Sequence, residues 1–234
     1  MIYAVVTGAS QGMGAVIAEK LLSEGCAVAV CARNAAKLET LAAKWRDQWP
    51  AAHIVVHPAD LSTTDGVAGF AASIAAHFPQ VDLLVNNAGA YQPGTIADEA
   101  AGQLEKMIGV NLYSAYRLTR QLLPAMKARQ SGHIFNMCSI ASLKAYPNGG
   151  SYSISKYALL GFSENLREEL KTEHIKVTAI CPGATYTPSW EGSGVAADRI
   201  MESADIAHML WSAFRLSPQA NVETIVLRPV KGDL

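Results

Sequence analysis

The chain has 234 residues, half of them hydrophobic and 17% charged, enough to bury roughly three quarters of its unfolded surface in one α/β domain. A formal net charge of −1 supplies no basic field, which argues against nucleic acid or an anionic membrane surface as the main partner. No apolar run approaches the ~20 residues that a membrane helix needs.

Short apolar runs alternate with helix-like segments along the whole chain. The first strand is expected at Ile2–Val6, directly after Met1, which leaves no basic n-region or room for a signal peptide; a cytoplasmic protein is expected. Further strands are expected at Ala27–Ala32, His53–His57, Val81–Asn86, Gly132–Cys138, Lys176–Cys181 and Glu223–Leu227. Helices are expected near Met13–Ser23, Ala35–Trp49, Thr64–Phe78, Asp98–Arg129, Tyr152–Thr172 and Ala204–Leu216. Gly25 and Gly132 are placed to end the first and fourth helices. Strands such as Ala27-Val28-Ala29-Val30 are almost continuously apolar, as strands covered by helices on both faces are. Repeated βα units of this kind predict a doubly wound parallel sheet in a three-layer α/β/α arrangement. No linker, repeat or low-complexity tract divides the chain, so residues 1–234 are expected to form a single domain.

Cys26, Cys31, Cys138 and Cys181 are scattered without a C-x-x-C pair and read as buried free thiols. The six histidines are equally dispersed, and no metal site is expected.

The first strand leads straight into Thr7-Gly8-Ala9-Ser10-Gln11-Gly12-Met13-Gly14. Glycines at such a turn let the backbone approach a pyrophosphate, and the following helix directs free N–H groups and its positive dipole end at the anion. The spacing is G-x-x-x-G-x-G, not the shorter G-x-G-x-x-G of many dinucleotide folds.

Ser139 precedes Tyr152 by thirteen residues, and Lys156 follows Tyr152 by four. On a helix, Tyr152 and Lys156 share a face, about 5–6 Å apart at Cβ. A phenol titrates near pKa ~10, too high for efficient proton transfer at neutral pH, and an ammonium beside it is expected to pull that value down.

Together these segments resemble the short-chain dehydrogenase/reductase family, in its single-domain branch. Thr7-Gly8-x-x-x-Gly12-x-Gly14 is similar to that family's cofactor turn, and Asn86-Asn87-Ala88-Gly89 to its N-N-A-G segment. Asn111 matches the helix asparagine, Ser139, Tyr152 and Lys156 the catalytic set, and Pro182-Gly183 with Thr187 the segment after the sixth strand. The matches run from residue 7 to residue 187 in family order, and they imply a Rossmann fold.

The resemblance implies an oxidoreductase that interconverts a carbonyl compound and an alcohol with a nicotinamide cofactor. Tyr152 is then the general acid/base, Ser139 the hydrogen-bond donor to the substrate oxygen, and Lys156 both the tuner of Tyr152 and a ribose ligand. Asn111 is expected to hold a water in a proton relay, to satisfy backbone groups at a helix kink, or to do both. Thr7, Gly8, Ser10, Gln11, Gly12, Met13, Gly14, Asn87, Ala88, Gly89, Pro182, Gly183 and Thr187 are expected to line the cofactor, while Asn86 bridges strands. Asp60 resembles the aspartate that binds the adenine amino group, although a turn or N-cap aspartate fits the position too.

Ala32 stands where an NAD-selecting site carries a carboxylate, and Arg33 follows. A guanidinium there favours the 2′-phosphate of NADP(H). Tyr91, Tyr146 and Trp190, with the Leu143–Gly150 loop and the segment from Thr187 to about Arg199, are expected to form the substrate site. Glycines at 192 and 194 could permit a closing lid.

Two other classes fit parts of the chain. A silent dinucleotide-binding regulator is opposed by the intact Ser139, Tyr152 and Lys156. An epimerase or dehydratase is disfavoured because only 78 residues follow Lys156. Two apolar rows on the Tyr152 helix, Ala158, Phe162 and Leu166 beside Leu159 and Leu170, together with the family habit of pairing helices, predict a homodimer or homotetramer.

Overall fold

The computed structural model describes residues 1–190 and 192–234. Its centre is one parallel sheet of seven strands in the order β3-β2-β1-β4-β5-β6-β7. The strands are β1 (Tyr3–Thr7), β2 (Ala27–Ala32), β3 (Ile54–Pro58), β4 (Leu83–Asn86), β5 (Gly132–Met137), β6 (Ile175–Pro182) and β7 (Thr224–Leu227). The helices are α1 (Gly12–Ser23), α2 (Ala35–Gln48), α3 (Thr64–His77), α4 (Gln103–Ile108), α5 (Ser114–Arg129), α6 (Gly150–Leu170) and α7 (Ser203–Phe214). This is the doubly wound α/β/α layering of the Rossmann fold.

The apolar strands are buried on both faces, as their composition predicts, and β2 is buried at all six positions. One core lies under α1, α2 and α7, with Ile17, Leu21, Trp45 and Leu210 against Val6, Val28 and Val30. The other lies under α3, α5 and α6, with Phe70, Leu118 and Leu166 against Val5, Leu84 and Ile134. All four cysteines are free and buried.

β1 pairs with β2 on one side and β4 on the other, so the winding reverses between the carboxyl ends of β1 and β4. That switch point is where open α/β sheets bind ligands.

Two expectations are corrected. The single helix Asp98–Arg129 is instead α4 and α5 joined by a π-helical turn, Gly109–Tyr113. Helix starts only after Gly102, whose φ of 84° is left-handed; before it the Thr95 hydroxyl donates to the Asp98 carboxylate and Glu99 bonds Ser151. Gly132 does not end α5. Gln130 takes the left-handed position with φ 51°, and Gly132 opens β5 where a Cβ would press within 2.9 Å of Met126 Sδ.

Candidate active site

The turn after β1 takes the path its glycines allow. Gly8 has φ 68°, and a Cβ there would stand 2.9 Å from Ala88 Cα, so the turn and the Asn87-Ala88-Gly89 segment touch backbone to backbone. Thr7 and Asn87 hold that contact together. Thr7 Oγ1 accepts from the Asn87 and Ala88 amides at 2.9 and 2.8 Å, and Asn87 Nδ2 donates to the Thr7 carbonyl at 2.9 Å. Gly12, with φ 58°, faces Thr187, which brings the segment after Pro182-Gly183 to the same turn. Met13 and Gly14 open α1 behind it.

A cleft of about 570 Å³ runs from this turn across the sheet edge. Gly8, Ser10 and Gln11 line one side, Ala32, Arg33 and Asp60 another, and Ala88 and Gly89 a third. Arg33 and Asp60 are exposed in it. Asp60 closes a turn: its Oδ1 accepts from the Ser62 amide at 2.9 Å and the Ser62 hydroxyl at 2.7 Å, and those bonds hold its carboxyl below the usual range.

Sequence reading missed Lys37. One turn into α2, its Nζ donates to Gln11 Oε1 at 3.2 Å, and it lines the same cleft as Arg33. The signal was present, since Lys37 follows Arg33 by four residues at a helix start. A larger, mostly apolar cavity of about 990 Å³ lies beyond Lys37, between α1, α2, residues 186–188 and residues 198–204, and its lining does not include Tyr152.

Ser139, Tyr152 and Lys156 come together at the carboxyl edge of β5. A short 3-10 turn, Ile140–Ser142, fixes Ser139: its amide donates to Ser142 Oγ at 3.2 Å, and its own Oγ accepts from the Ala141 amide at 3.1 Å. The Ser139 side chain lies close enough to the Tyr152 hydroxyl to oppose the effect of burial on the phenol. Lys156 is buried, and its Nζ donates to the Met137 carbonyl at 2.7 Å. Burial lowers the pKa of that ammonium, while the adjacent Cys138 and Cys181 sulfurs raise it.

The expectation that Lys156 holds Tyr152 below its ordinary value is not met in this arrangement. Burial pushes the phenol up, and the opposing pull comes from Ser139. The ammonium is turned to Met137 and lies 5.9 Å from the centre of the Tyr152 ring.

Asn111 lies in the π-helical turn and is fully engaged as a donor. Its Nδ2 reaches the Ala90 carbonyl at 3.0 Å and Ser155 Oγ at 2.8 Å, and its Oδ1 accepts from the Ala90 amide at 2.8 Å. It therefore satisfies backbone groups at a helix kink, one of the two expected roles. Asn86 bridges as expected, with Nδ2 donating to Asn136 Oδ1 at 2.8 Å and Thr119 Oγ1 at 3.0 Å.

The Tyr91 ring meets the Tyr152 ring edge to face at 4.8 Å, and Tyr146 lies near both, its phenol pushed up by burial. Trp190 closes a separate 3-10 turn, Pro188–Trp190, and its amide donates to the Thr187 carbonyl at 2.9 Å. No helix among the described residues is long and apolar enough to cross a membrane.

Comparison with known proteins agrees with this geometry. A family model described as short chain dehydrogenase matches residues 3–195. An oxidoreductase of Staphylococcus epidermidis is 31% identical over 227 residues, covering 97% of this chain and 96% of its own. The alcohol dehydrogenase of Thermococcus sibiricus, solved with 5-hydroxy-NADP, superposes with a TM-score of 0.90 at 27% identity, covering 98% and 97% of the two chains. L-sorbose reductase of Gluconobacter frateurii, solved with NADPH and L-sorbose, gives 0.89 at 26% identity over 97% and 94%. With the glycine turn, the switch-point cleft and the Ser139–Tyr152 contact on one sheet edge, the chain belongs to the short-chain dehydrogenase family of oxidoreductases.

Proposed function

We propose that this oxidoreductase uses NADP(H) to interconvert a ketone or aldehyde and an alcohol, with Tyr152 as general acid/base. The observation that carries the reading is Ser139 set against Tyr152 beside Lys156, at the sheet edge that also holds the glycine turn.

The cleft fits a dinucleotide. Side chains at Gly8 and Gly12 would fill the approach to the turn, and Arg33 and Lys37 supply positive charge where β2 ends. Ser10, Gln11, Gly12, Met13 and Gly14 would hold the diphosphate, and Asp60 the adenine end. Thr7, Asn87, Ala88 and Gly89 shape the middle. A Cβ at Gly89 would lie 3.6 Å from Lys156 Nζ and 3.1 Å from Asn111 Oδ1, so only a bare backbone leaves room beside them. Pro182, Gly183 and Thr187 close the other side. Two solved relatives carry NADP-type cofactors, which supports the same choice here.

The cofactor supplies the hydride. In the reducing direction the Tyr152 hydroxyl gives its proton to the carbonyl oxygen, which the Ser139 hydroxyl orients through a second hydrogen bond. Lys156 orients the ribose and, once its ammonium faces the phenol, favours phenolate. Asn111 joins the relay that returns a proton to Tyr152. Tyr91 and Tyr146 border the substrate, with Trp190 on the segment that covers it. Assembly as a homodimer or homotetramer completes the reading.

The test is turnover of a panel of ketones, aldehydes and alcohols, followed by nicotinamide absorbance. Turnover by the unmodified protein that is lost in Tyr152→Phe supports the reading. No turnover of any carbonyl or alcohol with either cofactor would overturn it.

A further inference from the structure

Helix α6 carries both Tyr152 and Lys156, yet it lacks a cap of its own. Gly149 precedes it and offers no side-chain bond, so the free amides of the first turn need an acceptor from elsewhere. Glu99 supplies it from a segment 52 residues away. Its Oε1 accepts from the Ser151 amide at 2.8 Å, and its Oε2 accepts from the Ser151 hydroxyl. Ser151 is 1% exposed, so no water substitutes easily for that carboxyl. Gly150 has φ 38°, and a Cβ there would run into the Glu99 carboxyl and the Gly94 carbonyl, so the helix start is shaped around this contact.

The segment bearing Glu99 is itself tied down. Asn111 grips Ala90 at its start, and the Gly94 amide donates to the Asn148 carbonyl at 3.0 Å. Between these ties Tyr91 rests against Tyr152. Ser139, by contrast, is fixed by β5 and its own 3-10 turn. Ser153 ties α6 to that turn, its hydroxyl donating to the Ala141 carbonyl at 3.1 Å, and Glu99 fixes the helix start at Ser151, the residue before Tyr152, so the spacing of the Ser139 and Tyr152 hydroxyls depends on both anchors.

We propose that Glu99 is a positioning residue for the reaction: it clamps the first turn of α6 so that the Tyr152 hydroxyl stays in register with Ser139. The inference rests on Tyr152 being the proton donor. A carboxyl at a helix N-terminus satisfies the free amides and opposes the dipole, and small displacements of a catalytic group cost turnover far more than binding.

Three variants and two readouts test it. Glu99→Ala removes both bonds and is expected to lower kcat about tenfold or more, with KM and the NADPH Kd within about twofold. Glu99→Gln keeps an acceptor for the Ser151 amide and is expected to recover kcat to within about threefold of the unmodified protein. Ser151→Ala, which removes only the hydroxyl bond, is the milder variant should Glu99→Ala fail to fold, with an expected fall of about threefold in kcat alone. Hydrogen exchange at the Ser151–Ser155 amides supplies the readout that needs no turnover, and it is expected to quicken at least tenfold in Glu99→Ala.

Unchanged exchange in Glu99→Ala would refute the clamp whatever the enzyme's substrate is. Faster exchange with unchanged kcat, or a rise in KM that accounts for the whole loss, would refute the catalytic role. A folded Ser151→Ala with unaltered kcat and exchange counts against the proposal in the same way. An unmodified protein that turns over no carbonyl or alcohol would instead sink the proposed function, and the exchange result would still decide the clamp.

Discussion

The Lys156 ammonium donates to the Met137 carbonyl oxygen at 2.7 Å and stands 5.9 Å from the centre of the Tyr152 ring. The two side chains share a face of α6, as their four-residue spacing requires, but the cation is held toward the strand. Tyr152→Phe deletes one hydroxyl and little volume, so turnover is expected to fall about 10²- to 10⁴-fold with cofactor affinity nearly unchanged. Lys156→Ala is expected to weaken turnover and cofactor binding together. Stopped-flow turnover and fluorescence titration with NADPH measure both. Full activity in Tyr152→Phe would end the proposed mechanism.

The pH dependence follows from the upward shift of the phenol. Burial keeps Tyr152 protonated through the neutral range, so carbonyl reduction is expected to stay level near pH ~7 and decline only in alkali. Alcohol oxidation needs the phenolate and is expected to climb with pH. Ser139→Ala removes the hydroxyl whose influence opposes the shift, so its oxidation limb should move to higher pH. An oxidation rate that peaks on the acid side of neutrality would contradict this assignment.

Arg33 and Lys37 both line the cleft at the end of β2. Ala32→Asp with Arg33→Ile is expected to shift selectivity toward NAD(H), because the new carboxylate repels a 2′-phosphate and accepts from a 2′-hydroxyl. Lys37→Ala is expected to raise the NADPH Kd several-fold and leave NADH unaffected. Equal dissociation constants for the two cofactors in the unmodified protein would exclude the role of Arg33.

A homodimer or homotetramer is expected to use more of α6 than the two apolar rows. Leu159, Leu166 and Leu170 of those rows are buried, while Ala158 and Phe162 remain half-buried, Phe162 packing on Tyr116 at 5.5 Å. The exposed apolar groups are Ile154 and Tyr157 on α6, beside Tyr113 and Tyr116 at the start of α5. A homodimer or homotetramer through these helices is expected, and Tyr116→Glu with Tyr157→Glu should dissociate it. Light scattering decides: a mass of 24.9 kDa for the unmodified protein at all micromolar concentrations would exclude assembly.

His133 gives the fold an acid-sensitive point. It is buried, its Nε2 lies 2.8 Å from Thr178 Oγ1, and desolvation, helped by Lys176, lowers its pKa to about 3. The unfolded chain takes up that proton near the ordinary value of 6.5, so stability is expected to fall as pH drops from 6.5 toward 3. One such proton contributes a slope of up to about 1.4 kcal/mol per pH unit. Denaturant titrations of His133→Leu should show a shallower slope over that range; an identical slope would assign the acid sensitivity to other groups.

Much of this protein was legible in its sequence because the signals are local. Seven apolar runs with helical segments between them specify seven strands and the parallel winding, since a strand covered on both faces leaves no other reading. The glycines of the first turn, Arg33 after β2 and the Tyr152–Lys156 spacing are likewise short-range patterns, each readable within a few residues.

What only the tertiary structure decided involves contacts between distant residues. Glu99 caps a helix that begins 51 positions later, Lys37 reaches back to Gln11 across the βα turn, and Asn111 spends its amide on Ala90 and Ser155. The π-helical turn that aims Asn111 has no local sequence signature, because its hydrogen bonds are selected by what its side chain meets. The direction of the Lys156 ammonium was undecided for the same reason. Helical spacing sets the face a side chain leaves from, but the nearest acceptor, here the Met137 carbonyl at the end of β5, sets where its charge comes to rest.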